Sequence, residues 1–260
     1  MNTINIGHVE KCGLNADVLI AHRGWQRRYP ENTLAAIDAA IAAGARHIEI
    51  DIQLSRDGVP ILLHNRTLTH MTGDSAAAHE LTLGELQQLH AAESSRFGAR
   101  FANQRLCTLA EVVERIVEQP QVHLYVELKR VAIEQFGADI MVDKVLQVIT
   151  AAAAQCTLIS FWLPALTLAQ QQGFPRLGPV LVDWQQLDSE ELIALAPSVI
   201  FCDSEKIPPE ADLVAVRWPL AIYEIDTLDA AQAWLARGAR WIETFAIGEL
   251  LNPATNHIGQ

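Results

Sequence analysis

Short runs of apolar and β-branched residues recur along the chain, and a stretch with helical periodicity separates each run from the next. The runs predict eight strands, near 17–22, 47–53, 122–128, 157–160, 178–182, 198–202, 220–225 and 240–244. The intervening stretches predict amphipathic helices, among them 33–43, 109–118, 140–154, 166–172 and 228–237. Strict alternation of strand and helix is typical of a parallel sheet, and eight such units predict a (β/α)₈ TIM barrel. An open doubly wound sheet is the alternative, but no Gly-x-Gly-x-x-Gly turn follows the first strand.

A tight turn is expected directly after the second strand. Asp57-Gly58 lies between two apolar runs, and this dipeptide favours a two-residue hairpin turn. With such a turn, the second arm folds back antiparallel and its register places His64 opposite Asp51. The two side chains are therefore expected to be close.

The segment from 65 to 108 is longer than a connection between barrel elements needs to be. It contains one predicted helix, at 82–90, and indicates a small insertion on the rim of the barrel. No Ser/Pro-rich linker and no change in composition marks a domain boundary. Residues 1–260 are therefore predicted to form a single domain.

Composition is consistent with a folded, acidic protein. The 260 residues match the ~250 that a TIM barrel typically needs, and half of them are hydrophobic, which excludes a disordered chain. Acidic residues outnumber basic ones 31 to 19, for a formal net charge of −12, which argues against a nucleic-acid partner. An anionic substrate would need local positive charge against this global field. A bound cation would supply it.

Cysteine usage and hydropathy bear on the compartment. Four cysteines, Cys12, Cys107, Cys156 and Cys202, form no Cys-x-x-Cys pair and are interpreted as buried thiols of a reducing compartment. Residues 1–16 contain no apolar core of a signal peptide, and no run reaches the ~20 apolar residues of a membrane span. We therefore expect a cytoplasmic protein without membrane insertion. The oligomeric state is left open.

Chemically versatile residues coincide with the predicted strand ends that form the active-site face of TIM barrels. They are His22, Arg23, Glu49, Asp51, His64, Glu127 and Lys129. Taken singly, each has an ordinary structural explanation, such as a solvent-facing carboxylate or a hydrogen-bonded core histidine, and we interpret His47 in that way. Their coincidence on three consecutive strands favours a functional site. Three carboxylates at one mouth require neutralisation, for which a hard cation such as Mg²⁺ or Ca²⁺ is suited.

The same residues form a series of motifs in a recognisable order. These are His22-Arg23-Gly24, Pro30-Glu31-Asn32-Thr33, Glu49-Ile50-Asp51, Asp57-Gly58-Val59-Pro60, His64, Thr67-Leu68, Leu81-Thr82-Leu83, Thr108-Leu109 and Glu127-Leu128-Lys129. In this order the motifs resemble the glycerophosphodiester phosphodiesterase family. The resemblance extends over nearly the whole chain and is densest over residues 19–130.

The resemblance implies a TIM barrel that hydrolyses glycerophosphodiesters to sn-glycerol 3-phosphate and an alcohol, with one divalent cation, Mg²⁺ or Ca²⁺. By resemblance, His22 and His64 are the acid–base pair, Glu49, Asp51 and Glu127 the metal ligands, and Arg23 and Lys129 the phosphate contacts. Tyr223 is either an aromatic wall for the glycerol moiety or a packing residue of the barrel rim. The attacking group is the glycerol 2-hydroxyl, through a cyclic phosphate, or water. Both remain open.

The late strands depart from the family pattern. Asn65 replaces the aspartate that usually follows the second histidine, which predicts a less basic His64. The family often has Trp-Thr-Val-Asn where this chain has the sequence 223–226, Tyr-Glu-Ile-Asp, and Thr-Asp where it has Thr244-Phe245. The catalytic half is thus intact and the specificity half altered. Two alternatives follow: the same chemistry on another substrate such as a lysophospholipid, or a silent binding barrel, which would require the loss of a histidine or metal ligand.

Overall fold

Eight parallel strands form the centre of the protein in a computed structural model that describes residues 13–253. They are β1 (Leu19–His22), β2 (His47–Leu54), β4 (His123–Leu128), β5 (Cys156–Ser160), β6 (Leu177–Pro179), β7 (Ile200–Asp203), β8 (Leu220–Tyr223) and β9 (Trp241–Thr244). A short strand, β3 (Pro60–Leu62), pairs antiparallel with β2 outside this series. The order β6-β5-β4-β2-β1-β9-β8-β7 closes between its two ends, where the Leu181 N–H donates to the Phe201 carbonyl at 2.9 Å. The TIM-barrel prediction is confirmed.

Helices occupy the connections between the strands. They are α1 (Leu34–Ala42), α2 (Thr69–Thr72), α3 (Leu83–Leu86), α4 (Ser94–Phe97), α5 (Leu109–Val117), α6 (Arg130–Phe136), α7 (Ala138–Ile149), α8 (Leu163–Gln171), α9 (Glu190–Leu195), α10 (Leu228–Arg237) and α11 (Ile247–Leu251). Short 3₁₀ turns cover Ala16–Val18, Ala78–Glu80, Thr150–Gln155, Trp184–Asp188, Ser204–Lys206 and Leu213–Ala215. Threonine side chains cap α1, α5 and α10, because Thr33, Thr108 and Thr227 each accept a hydrogen bond from a first-turn N–H.

The barrel interior and the layer between strands and helices form separate apolar clusters. Ile20, Tyr125, Ile159 and Phe201 fill the interior and are almost completely buried, which closes the barrel below its mouth. Beneath them, His47 packs against the rings of His123, Tyr125 and Trp241. This position agrees with the interpretation of His47 as a packing residue.

The hairpin after β2 forms, but the predicted register was wrong by one residue. Leu63, and not His64, lies opposite Asp51, and its N–H donates to the Asp51 carbonyl at 3.0 Å. The reason is the turn: the Ser55 N–H donates to the Val59 carbonyl, which leaves three residues in the loop instead of two. Gly58 has a left-handed φ of 74°, as the third residue of such a loop requires.

The segment 65–108 forms the predicted rim insertion around a small apolar cluster of its own, which includes Leu68, Met71 and Leu86. Its helix α3 is shorter than the predicted 82–90, since the chain leaves the helix after Leu86 and continues into an antiparallel bridge between His90 and Arg105. Within residues 13–253 no helix has both the length and the apolar character needed to cross a membrane. Cys12 lies outside the described residues, and the other three cysteines are buried free thiols.

Candidate active site

A left-handed turn at the end of β1 aims the Arg23 side chain into the barrel mouth. Arg23 and Gly24 have φ values of 56° and 79°, and a Cβ on Gly24 would lie 2.8 Å from the Ala36 carbonyl oxygen. Only glycine fits there. The buried guanidinium then contacts Asp51 (Nε to Oδ2, 3.1 Å) and Glu31 (Nη1 to Oε2, 2.8 Å).

Asn32 fixes the orientation of Asp51. Its amide Nδ2 donates to Asp51 Oδ2 at 2.8 Å, while its Oδ1 accepts from the Asp51 N–H at 3.1 Å. Asn32 makes this reciprocal pair from a left-handed backbone, with φ at 52°. Asparagine is among the residues that enter this conformation most readily.

The three predicted metal ligands converge at the ends of β2 and β4. Asp51 and Glu127 are direct neighbours in the parallel register, and oxygens of Glu49, Asp51 and Glu127 lie within 4.8 Å of one another. Lys129 Nζ is 3.1 Å from Asp51 Oδ1 and 3.0 Å from Glu127 Oε1. Glu49 Oε1 is buried without a hydrogen-bond partner. Three hard oxygen donors, one of them unsatisfied, fit a divalent cation.

Burial and mutual repulsion set the charge states of these carboxyls. Burial, and then the charges of Asp51 and Glu243, raise the pKa of Glu49 well above its usual value. Burial also raises the pKa of Glu127, and Lys129 only partly offsets this. Burial acts in the same direction on Asp51, but the cationic Lys129 and Arg23 outweigh it and hold its pKa far below the usual range. Without a metal ion, Glu49 is therefore the one of these three carboxyls that most readily holds a proton.

Both predicted catalytic histidines reach the same mouth. His22 is 7% exposed, its Nε2 lies 3.7 Å from Glu49 Oε2, and its ring stacks on Phe245 with centroids 4.5 Å apart. His64 follows the hairpin, and its Nδ1 lies 3.0 Å from Asn65 Oδ1. Burial lowers the pKa of both imidazoles, most strongly that of His22, so the neutral form of each ring is favoured.

These groups line one pocket of about 240 Å³ above the barrel core. Its lining comprises His22, Arg23, Glu49, His64, Glu127, Lys129, Ile159, Phe161, Val180, Phe201, Asp203, Tyr223, Glu224 and Glu243. Arg23 and Lys129 lie on the side formed by β1 and β4, whereas Tyr223 and the carboxylates Asp203 and Glu224 form the opposite wall. The structure thus brings seven of the eight predicted site residues to the pocket lining, and the eighth, Asp51, forms ion pairs with the lining residues Arg23 and Lys129. Their roles remain predictions.

Two residues that contact the site were missed at the level of sequence. Glu243 on β9 is 3% exposed and points into the pocket, two positions after the inward-facing Trp241, so strand alternation could have identified it. Phe245 supports the His22 ring. Asp226 positions Phe245, because its Oδ1 accepts from the Phe245 N–H at 2.9 Å and from the Thr244 hydroxyl at 2.9 Å. Two departures from the family pattern are therefore in contact with each other.

Fold and site together define a TIM barrel whose mouth combines carboxylates, two histidines, an arginine and a lysine around a small polar pocket. The sequence profile of the glycerophosphoryl diester phosphodiesterase family matches residues 22–172, which is more than half of the chain. The chain belongs to this family.

Individual relatives agree with this placement. The chain is 40% identical over 99 residues to a glycerophosphodiester phosphodiesterase of Caldanaerobacter subterraneus, a stretch that covers 38% of this chain and 40% of the relative. It is 38% identical over 111 residues to a putative glycerophosphodiester phosphodiesterase of Bacillus subtilis, covering 43% and 44%. The matched stretches thus span less than half of these relatives.

Solved structures resemble the chain over a greater length. A phosphodiesterase of Oleispira antarctica, in complex with the product sn-glycerol-3-phosphate, superposes with a TM-score of 0.79 at 23% identity over 92% of this chain and 97% of that one. A putative glycerophosphoryl diester phosphodiesterase of Silicibacter pomeroyi superposes with a TM-score of 0.78 at 20% identity over 96% and 95%. At these identities the likeness establishes the shared fold.

Proposed function

We propose that the protein hydrolyses glycerophosphodiesters to sn-glycerol 3-phosphate and an alcohol, with the help of one divalent cation. The observation that carries the proposal is the meeting of His22, His64, Arg23 and Lys129 with the carboxylate cluster in one pocket. Family membership supports this reading, as does the pocket, whose volume of about 240 Å³ suits a small polar substrate.

Glu49, Asp51 and Glu127 would hold the cation, Mg²⁺ or Ca²⁺. When bound, it supplies positive charge that stabilises the negative charge developing on the phosphoryl oxygens. The three carboxylates are held in place before binding, Glu49 by the Arg23 N–H, Asp51 by Asn32 and Glu127 by Lys129. Such preorganisation lowers the cost of placing charge correctly.

Arg23 and Lys129 would bind the phosphate. Burial opposes their charge, but Asp51 and the neighbouring glutamates raise the pKa of both residues, so each stays cationic. Ion pairs to Asp51 from both residues fix the two cations relative to the carboxylate cluster. Tyr223, on the opposite wall, would contact the glycerol moiety.

Proton transfer would be divided between the histidines. His22, whose pKa is lowered the more strongly, suits the base that accepts the proton of the attacking oxygen. His64, beside Asp51 and Asn65, suits the acid that protonates the leaving oxygen, since both neighbours raise its pKa against the effect of burial. His22 would therefore control the acidic limb of a pH–rate profile, and His64 the basic limb.

The test is turnover of a panel of glycerophosphodiesters by the purified chain, with Mg²⁺, with Ca²⁺ and with EDTA. We expect release of sn-glycerol 3-phosphate with at least one cation and none with EDTA. The matched variants Lys129→Met and Lys144→Met each remove one lysine, the first from the pocket and the second from a helix outside it. Only Lys129→Met should lose activity. Turnover that is unaffected by EDTA, or an equal loss in both variants, would refute the assignment.

A lysophospholipid is the second candidate substrate, because two apolar side chains are exposed near the mouth. Trp162 is 37% exposed and Val182 is 53% exposed, and they follow the pocket residues Phe161 and Val180 closely. A preference for lysophosphatidylcholine over glycerophosphocholine that is lost in Trp162→Ser would favour this substrate. The cytoplasmic location, the single-domain organisation and the lack of a nucleic-acid partner remain predictions.

A further inference from the structure

Compensation of charge is uneven among the carboxylates of the mouth. Asp51 and Glu127 have ion pairs to Arg23 or Lys129. Glu49 has no lysine or arginine side chain within ion-pair distance among the described residues, and Glu243 has neither an ion pair nor a side-chain hydrogen bond there. Two neighbouring buried carboxyls are thus left without a permanent cation, so a proton or a bound ion must balance their charge.

The same two glutamates form a three-residue group with His22. One potential ligand atom from each of His22, Glu49 and Glu243 lies within 4.8 Å of the others. Each residue also has a buried polar atom without a hydrogen-bond partner: His22 Nδ1, Glu49 Oε1 and Glu243 Oε1. The three residues are 7%, 1% and 3% exposed, so water cannot readily satisfy these atoms.

We propose that His22, Glu49 and Glu243 form a second cation position that shares Glu49 with the first. One imidazole nitrogen with two carboxylates suits a transition-series ion such as Zn²⁺ or Mn²⁺, whereas the all-oxygen first position suits Mg²⁺ or Ca²⁺. The two positions therefore differ in the ion that each prefers.

If the protein has the proposed function, a cation in this second position should inhibit turnover. A ring nitrogen of His22 that holds a cation has no lone pair for a proton, so His22 is withdrawn from proton transfer. The position is then inhibitory. Loss of a positioned base typically lowers turnover by about 10²–10⁴-fold, and inhibition at saturation should approach that range.

The test counts ions without reference to turnover. Zn²⁺ is titrated calorimetrically into the Mg²⁺-saturated protein, into Glu243→Gln and into Glu224→Gln, which removes a different carboxylate of the same pocket. We expect the wild type and Glu224→Gln to bind one Zn²⁺ ion more than Glu243→Gln. Glutamine keeps the size of the side chain and removes a buried charge, and circular dichroism verifies that the variant is folded.

Activity with saturating Mg²⁺ and rising Zn²⁺ is measured in parallel. Turnover of the wild type should fall by about 100-fold or more, and that of Glu243→Gln should fall much less. Equal Zn²⁺ binding by the wild type and Glu243→Gln would overturn the site. Zn²⁺ binding that depends on Glu243 without inhibition would overturn the withdrawal of His22. If no glycerophosphodiester is turned over at all, the proposed function fails, while the ion count still decides whether the second position exists.

Discussion

Replacing Asn65 by Asp would add a negative charge beside His64 at a distance that the structure defines. Asn65 Oδ1 lies 3.0 Å from His64 Nδ1, so an aspartate in the same rotamer would face a protonated imidazole directly. At a separation of about 4 Å between charge centres and an effective dielectric constant of about 20, the attraction is about 4 kcal/mol. This energy corresponds to a rise of about three units in the pKa of His64, which is an upper limit. Because His64 is partly exposed, we expect a rise of one to two units.

The sign of the effect on the pH–rate profile follows from the role assigned to His64. A general acid must be protonated in the substrate complex, so kcat falls as the pH rises through its pKa. The pKa of His64 is lowered in the wild type, chiefly by burial, so the basic limb should lie below the pH at which an ordinary histidine would place it. Asn65→Asp should move this limb upward by one to two units and leave the acidic limb in place.

Asn65→Ala is the matched control, because it removes the hydrogen bond that raises the pKa of His64 without adding a charge. Its basic limb should move downward. NMR titration of the His64 ring would measure the same shifts directly. A ring pKa that rises in Asn65→Asp while the profile stays unchanged would refute His64 as the acid. A ring pKa that does not move would refute the electrostatic reasoning itself.

Four further outcomes are expected. EDTA should abolish turnover while the far-ultraviolet circular dichroism stays unchanged, because the barrel core is independent of the site; unfolding would contradict this. His22→Ala should lower kcat by about 10²–10⁴-fold with a smaller effect on KM, and near-normal turnover would exclude His22 as the base. Phe245→Ala removes a ring stack worth about 0.5–1.5 kcal/mol, so kcat should fall about two- to tenfold, and a change in KM alone would contradict a positioning role. Burial lowers the pKa of His47 and of His123 to about 4, so the unfolded chain takes up protons first as the pH falls below 6.5 and stability declines; an unchanged melting temperature between pH 7 and pH 5 would contradict this.

The fold and the centre of the site follow from local patterns in the sequence. Helix α10 begins and ends at the predicted residues, and β2 ends a single residue later than predicted. Glu49 and Asp51 are two positions apart on one strand, so their common direction is a property of strand geometry alone. Closure of the barrel then requires the strand ends to meet at one mouth.

Features that depend on a precise turn or on distant contacts were not predictable in the same way. Asp57-Gly58 is compatible with a two-residue and with a three-residue hairpin loop, and the difference of one residue shifts the position of His64. Glu243 is more than 190 residues from Glu49 in sequence, and the two become neighbours only because β9 pairs with β1 to complete the barrel. Strand alternation indicates that Glu243 points inward, but no local pattern places it beside Glu49.

The arrangement of charge bears on how an acidic protein would accommodate the proposed anionic substrate. Arg23 and Lys129 are the permanent cations of the mouth, and each already lies between two carboxylates. Four carboxyls, Glu49, Asp51, Glu127 and Glu243, therefore face two cations, and the mouth repels a phosphate unless protons or a metal ion balance the excess. Burial raises the pKa of three of these carboxyls, so protons supply the balance when no metal is bound. Metal binding must displace those protons, which makes the affinity for the metal increase with pH.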